Sequence, residues 1–147
     1  MIGMIWMNRD REIAPAERLP MSIHLEADFP CSPADLWAIV GAPGRSDWVP
    51  GVTACRLDGD IRRMTMAGAG EVAEKIHRVD DESMCIEYGV IESRSPLKTH
   101  RASIRLEVIS SGTRLVWQTE VDPIAVEPFI RKAMEGSVQQ LRKMVEG

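Results

Sequence analysis

The chain has 147 residues, of which 44% are hydrophobic and 27% charged, enough for one globular domain with a full core. A net charge of −4 argues against nucleic acid as a partner, because phosphate binding needs clustered Lys and Arg. Three cysteines far apart in sequence, Cys31, Cys55 and Cys85, point to reduced thiols in a cytoplasmic protein rather than a disulfide scaffold or a zinc site. No apolar run approaches the roughly 20 residues that span a bilayer.

Residues 1–20 stand apart from the rest. Met1 to Met7 is apolar but short and without a basic leader, so it is a poor signal peptide, and the next stretch is charged and carries Pro15 and Pro20. It is read as a flexible extension or as a start assigned too early, with Met21 the alternative. The regular pattern, and with it a single domain over 21–147, begins there.

Met21, Ile23, Leu25, Ala27 and Phe29 alternate with polar residues, which predicts a strand with one buried face. Ser32, Pro33 and Asp35 make a helix start, with a capping serine, a proline at the first helical position and an acidic residue three on. Gly41 to Gly44 ends that helix. A short second helix is predicted over 45–48, stopped by Pro50 and Gly51.

Six strands follow, over 52–57, 61–66, 71–79, 83–91, 97–108 and 113–121, each bounded by turn residues such as Asp58-Gly59 and Ser111-Gly112. The last element is a helix beginning near Val126, with Pro128 in its first turn. Ile130, Met134, Val138, Leu141 and Val145 recur at helical spacing, and Phe129 and Ala133 widen the stripe. Such a helix is about 30 Å long and must bury its apolar face. The order predicts an α+β fold, a curved antiparallel meander of six to seven strands gripping a long C-terminal helix. A cavity is expected between them, against the helix from Ile130 to Val138, with the turn from Leu141 to Val145 sealing one end. Gly136, costly in mid-helix by about 1 kcal/mol, marks a place of close approach to sheet or ligand.

The segment Ser32-Pro33-Ala34-Asp35-Leu36-Trp37, then Pro43-Gly44 and Asp47 to Val52, resembles the SRPBCC superfamily (START-like, birch-pollen-allergen-like). Gly59 with Arg62, Glu71-Val72 with Glu74, Asp80, Tyr88 and the run Gly112 to Trp117 extend the resemblance, nearest to the bacterial polyketide cyclase/dehydratase family 2 type. It covers the chain from about Met21 to the C-terminus and implies a helix-grip fold with a central hydrophobic cavity. It implies far less about chemistry, since one fold hosts many functions.

Strand phase sorts the side chains. Arg62, Met64 and Met66 share an inward face; so do Val72, Glu74 and Ile76; so do Met84, Ile86, Tyr88 and Val90. His100 shares its face with Ala102, Ile104, Leu106 and Val108, and Leu115, Trp117, Thr119 and Val121 point in from the last strand. A hairpin pairing Met64 with Glu74 sets Arg62 diagonal to that carboxylate, within reach of a buried ion pair. His24 and His77 fall on outward phases, and Trp37 and Trp48 read as packing at the core or the cavity end.

The candidate ligand-binding set is therefore Arg62, Met64, Glu74, Tyr88, His100, Ala102, Ile104, Trp117, Thr119, Ile130, Met134 and Val138. The function expected is binding of an apolar or amphipathic small molecule (lipid-, polyketide- or aromatic-like). The alternative is an aromatase/cyclase or dehydratase acting on a polyketide-like substrate, with Glu74, His100, Arg62 and Tyr88 the interior groups able to move protons. No phosphate loop, nucleophile elbow or metal constellation is present in the sequence, so neither cofactor nor metal is expected. The partner expected is the hydrophobic ligand itself, with no membrane span, on a monomer or homodimer.

Overall fold

Alternating side chains build seven strands into one antiparallel sheet in a computed structural model that describes residues 23–95 and 97–146. The N-terminal extension and Met21 lie outside the described residues. The elements run β1 (Ile23–Phe29), α1 (Pro33–Val40), β2 (Val52–Asp58), β3 (Ile61–Met66), β4 (Gly70–Asp80), β5 (Cys85–Glu92), β6 (Thr99–Ile109), β7 (Gly112–Asp122) and α2 (Glu127–Glu146). Strands β2 to β7 form the meander, and β1 returns to pair with β7, giving the order β1-β7-β6-β5-β4-β3-β2. The fold is the seven-stranded helix-grip arrangement.

Helix α1 starts as its sequence dictates: the Asp35 amide donates to Ser32 Oγ at 3.1 Å, with Pro33 in the first turn. The second short helix does not form. Residues 43–51 instead make successive turns, with Arg45 N–H donating to Ala42 O and Val49 N–H to Ser46 O, each at 3.0 Å. Gly44 and Pro50 bound a stretch of five residues, too short to pass the costly nucleation of a helix.

The β3–β4 hairpin also corrects an expectation. Arg62 pairs directly with Glu74, and Met64 with Val72, two residues from the predicted register. The cause is the turn: Met66 pairs with Gly70, and the loop between them bends at Gly68 (φ 83°) and Gly70 (φ 75°), where only glycine adopts a left-handed backbone without strain. A two-residue slip preserves the strand faces, so the inward residues are unchanged.

Helix α2 follows a 3-10 turn at Ile124–Val126 and carries Pro128 in its first turn. Met134, Val138 and Leu141 are buried, whereas Ile130 and Val145 are half-buried. Phe129 and Ala133 do not widen the buried stripe; both are exposed, Phe129 at 76%. One end of the grip is closed by Phe29, Leu36, Leu115 and Leu141, each at most 1% exposed. Arg142 caps that end, its guanidinium 4.9 Å above the Phe29 ring and donating to Asp28 O at 2.9 Å. Val108, expected on the buried face, is 78% exposed: β5 pairs with β6 only as far as Cys85 and Arg105, so Val108 has a neighbouring strand on the β7 side alone.

Gly136 is not a point of close approach. A Cβ added there meets only Pro50 Cγ, at 3.9 Å. Gly136→Ala is therefore expected to raise stability by about 1 kcal/mol through backbone entropy alone. Urea unfolding checks this, and a loss of stability would mean the helix sits closer to its neighbours than described.

A candidate ligand cavity between sheet and helix

Away from the closed end, sheet and helix separate around a cavity of about 520 Å³, within the range of about 300–1,000 Å³ common for ligand sites. Met64, Val72, Ile86, Val90, Ile104 and Trp117 supply its apolar sheet wall, and Ile130, Ala133 and Met134 the helix wall. The mouth is framed by Phe129, by Ser93, Arg94, Ser95 and Leu97 between β5 and β6, and by Met66 and Ala69 of the β3–β4 hairpin.

Ten of the twelve predicted residues are on the wall: Arg62, Met64, Glu74, Tyr88, His100, Ile104, Trp117, Thr119, Ile130 and Met134. Ala102 and Val138 are not. Ala102 is 1% exposed and pairs with Tyr88 and Thr119 on the flanking strands, both of them wall residues with larger side chains. Val138 packs into the core cluster, one helical turn beyond Met134. Phase reasoning missed the loop contributions. Arg45, Ser46 and Val49 reach the cavity from the segment after α1, where no periodicity marks a face, beside Trp48, which the sequence places at the core or the cavity end.

Arg62, Glu74, Tyr88 and Trp117 form one connected set. Arg62 Nε and Nη2 both donate to Glu74 Oε1, at 2.9 and 2.6 Å, and Nη1 donates to Pro43 O at 3.1 Å. The guanidinium lies 5.2 Å from the Tyr88 ring centre, a cation–π contact. Tyr88 Oη accepts from Trp117 Nε1 at 3.1 Å, and Trp117 stands 5.6 Å from Trp48, ring centre to ring centre. Thr119 Oγ1 donates to Met134 Sδ at 3.5 Å, tying sheet to helix.

His100 has a structural task. The Val90 amide donates to its Nδ1 at 3.1 Å, in place of the ladder bond expected between strands. Pairing of β5 with β6 stops at Tyr88 and Ala102, and Gly89 follows, where a Cβ would come within 2.3 Å of His100 O. With Nδ1 accepting, the neutral ring carries its proton on Nε2. Burial pushes the imidazole pKa down to about 4, so His100 is neutral across the physiological range. Burial, reinforced by the negative charge of Glu74, holds the Tyr88 phenol well above its ordinary value. Neither group is poised for proton transfer near pH 7.

Elsewhere, His24 and His77 are exposed as their phases predict, and Cys31, Cys55 and Cys85 are free thiols. Among the described residues no three His, Cys, Asp or Glu side chains gather as metal ligands, and no helix is long and apolar enough to cross a membrane.

The chain belongs to the family described as polyketide cyclase / dehydrase and lipid transport, whose model matches residues 20–146. No curated protein matches it. Among solved structures, an uncharacterized protein from Bacillus thuringiensis superposes with a TM-score of 0.76 at 13% identity, covering 85% of this chain and 98% of its own. The protein XoxI from Bacillus cereus also gives 0.76, at 18% identity and with 84% and 94% covered. Ara h 8.0201 gives 0.69, at 16% identity and with 84% and 95% covered. At these identities the likeness concerns the fold.

Proposed function

We propose that the protein binds an apolar or amphipathic small molecule, lipid-, polyketide- or aromatic-like, in the cavity between the sheet and α2. The observation that carries this reading is the cavity itself: about 520 Å³, walled mainly by Ile, Val, Met and Trp side chains, with a few polar groups grouped around Glu74. Polar groups so placed orient a ligand that burial of apolar surface holds. Arg62, Glu74, Tyr88, His100 and Thr119 are the orienting residues in this proposal, and Met64, Ile104, Trp117, Ile130 and Met134 the apolar contacts. The thioethers suit an adaptable wall. The separate cysteines and the acidic balance support a cytoplasmic protein without a nucleic-acid partner.

The cyclase or dehydratase reading is second. It draws support from the presence of Glu74, Arg62, Tyr88 and His100 on one cavity wall. The low pKa of His100 and the high one of Tyr88 weigh against it.

Ala133 is exposed at the cavity mouth, so Ala133→Trp obstructs entry without overpacking the core. This variant is expected to lose binding of the neutral apolar dye Nile red while its melting temperature stays within about 2 °C of the parent's. Equal Nile red binding by both proteins would exclude the cavity as the binding site.

A further inference from the structure

Resting on the ligand-binding reading, we propose that the cavity selects a neutral hydroxyl-bearing molecule, an alcohol or phenol, over a carboxylate or an amine, with the hydroxyl donating to Glu74 Oε2. The geometry of the ion pair is the starting point. Both Arg62 donors that reach Glu74 fall on Oε1, and the third bonded donor goes to Pro43 O. Oε2 has no partner among the described residues. Nor is it sealed from solvent, because the one described side-chain polar atom that is both buried and unpartnered is Trp48 Nε1. Glu74 is 9% exposed and on the cavity wall, so its second oxygen is open toward the ligand.

A carboxylate oxygen in that position accepts hydrogen bonds only, so the complementary group is a donor. Charge narrows the choice further. Arg62 and Glu74 cancel, and the other charged wall residues lie in loops, Arg45 already held by Asp47 at 2.7 and 3.0 Å and Arg94 at the mouth. A ligand carboxylate would meet Oε2 as like charge. An ammonium would satisfy Oε2 but add a buried charge to a balanced pair. A hydroxyl donates without adding charge.

Its oxygen also accepts, and the wall offers a donor for it. His100 is on the wall and presents Nε2–H because Val90 occupies Nδ1. The predicted occupant is an apolar body ending in a group that both gives and takes one hydrogen bond.

The test uses the full chain and three probes with one tail: decan-1-ol, decanoate and decylammonium, each displacing Nile red at pH 7. The double variant Arg62→Met/Glu74→Leu sets the preference that hydrophobicity alone imposes. Relative to that reference, the parent protein is expected to favour decan-1-ol over each ion by about tenfold more, the worth of one hydrogen bond to a charged group. Glu74→Gln, which leaves the Arg62 charge unbalanced, is expected to shift preference toward decanoate, and it supplies the comparison if the double variant does not fold. Equal preferences in the parent and either variant would overturn the proposal while leaving ligand binding intact. Failure of Nile red and decan-1-ol alike to bind the parent would instead overturn the cavity reading, and this proposal with it.

Discussion

Arg62→Met is expected to lose about 3–5 kcal/mol of stability in urea unfolding at pH 7, the usual cost of breaking a buried ion pair from one side. Arg62 and Glu74 are 8% and 9% exposed, so removing the guanidinium strands a carboxylate in a largely apolar wall. Pro43 O loses its donor and the Tyr88 ring loses its cation at the same time. The low end of the range is favoured, since water entering the cavity solvates Glu74 Oε2. The double variant Arg62→Met/Glu74→Leu should recover to within about 1 kcal/mol of the parent, because paired buried charges exchange for apolar groups at little net cost. Recovery assigns the loss to the stranded charge. A single variant as stable as the parent would show that the pair adds nothing to folding and is kept for the ligand.

That pair also shows how far the chain could be read before its structure. Phase alone places its two members on one interior face, since Arg62 sits with Met64 and Glu74 with Val72 on alternating strands. Their direct rather than diagonal pairing depends on a three-residue loop whose bends at Gly68 and Gly70 are backbone conformations that residue identity permits but does not dictate. Strand existence and facing follow from local alternation, which survives a two-residue register error. Loop geometry does not. Arg45 and Arg94 reach the cavity from segments without a period, and Val108 keeps its inward phase but lies beyond the end of β5, with a strand on one side only. Gly136 carried a misleading signal: a mid-helix glycine implies proximity, yet nothing but Pro50 stands near it. The Val90 bond to the His100 ring was likewise invisible, because a side chain taking over a ladder position leaves the alternation of both strands intact.

The same ring makes the second large expected effect a dependence on pH. His100 has a folded pKa of about 4, depressed by burial from the ordinary 6.5, so between those values the unfolded chain binds the extra proton and the folded chain does not. Stability rises with pH where the unfolded state holds more protons. The contribution of neutral His100 is therefore complete above about pH 6.5 and is lost as pH falls toward 4, at a slope of up to about 1.4 kcal/mol per unit. The total over this window is of order 2–3 kcal/mol. Protonation also converts Nδ1 from acceptor to donor, which sets it against the Val90 amide it now receives. His100→Gln retains an acceptor but cannot titrate. Urea unfolding of both proteins at pH 7, 6, 5 and 4 should show the parent losing stability faster than the variant. Aspartates with depressed pKa values, such as Asp28 and Asp80, lose their contributions at lower pH and are common to both proteins, so they cancel in the difference. Parallel curves from pH 7 to 4 would mean that His100 titrates as a solvated imidazole and that the sheet opens around it. A steeper parent curve would place a neutral imidazole, with Nε2–H available, at the cavity wall throughout the physiological range.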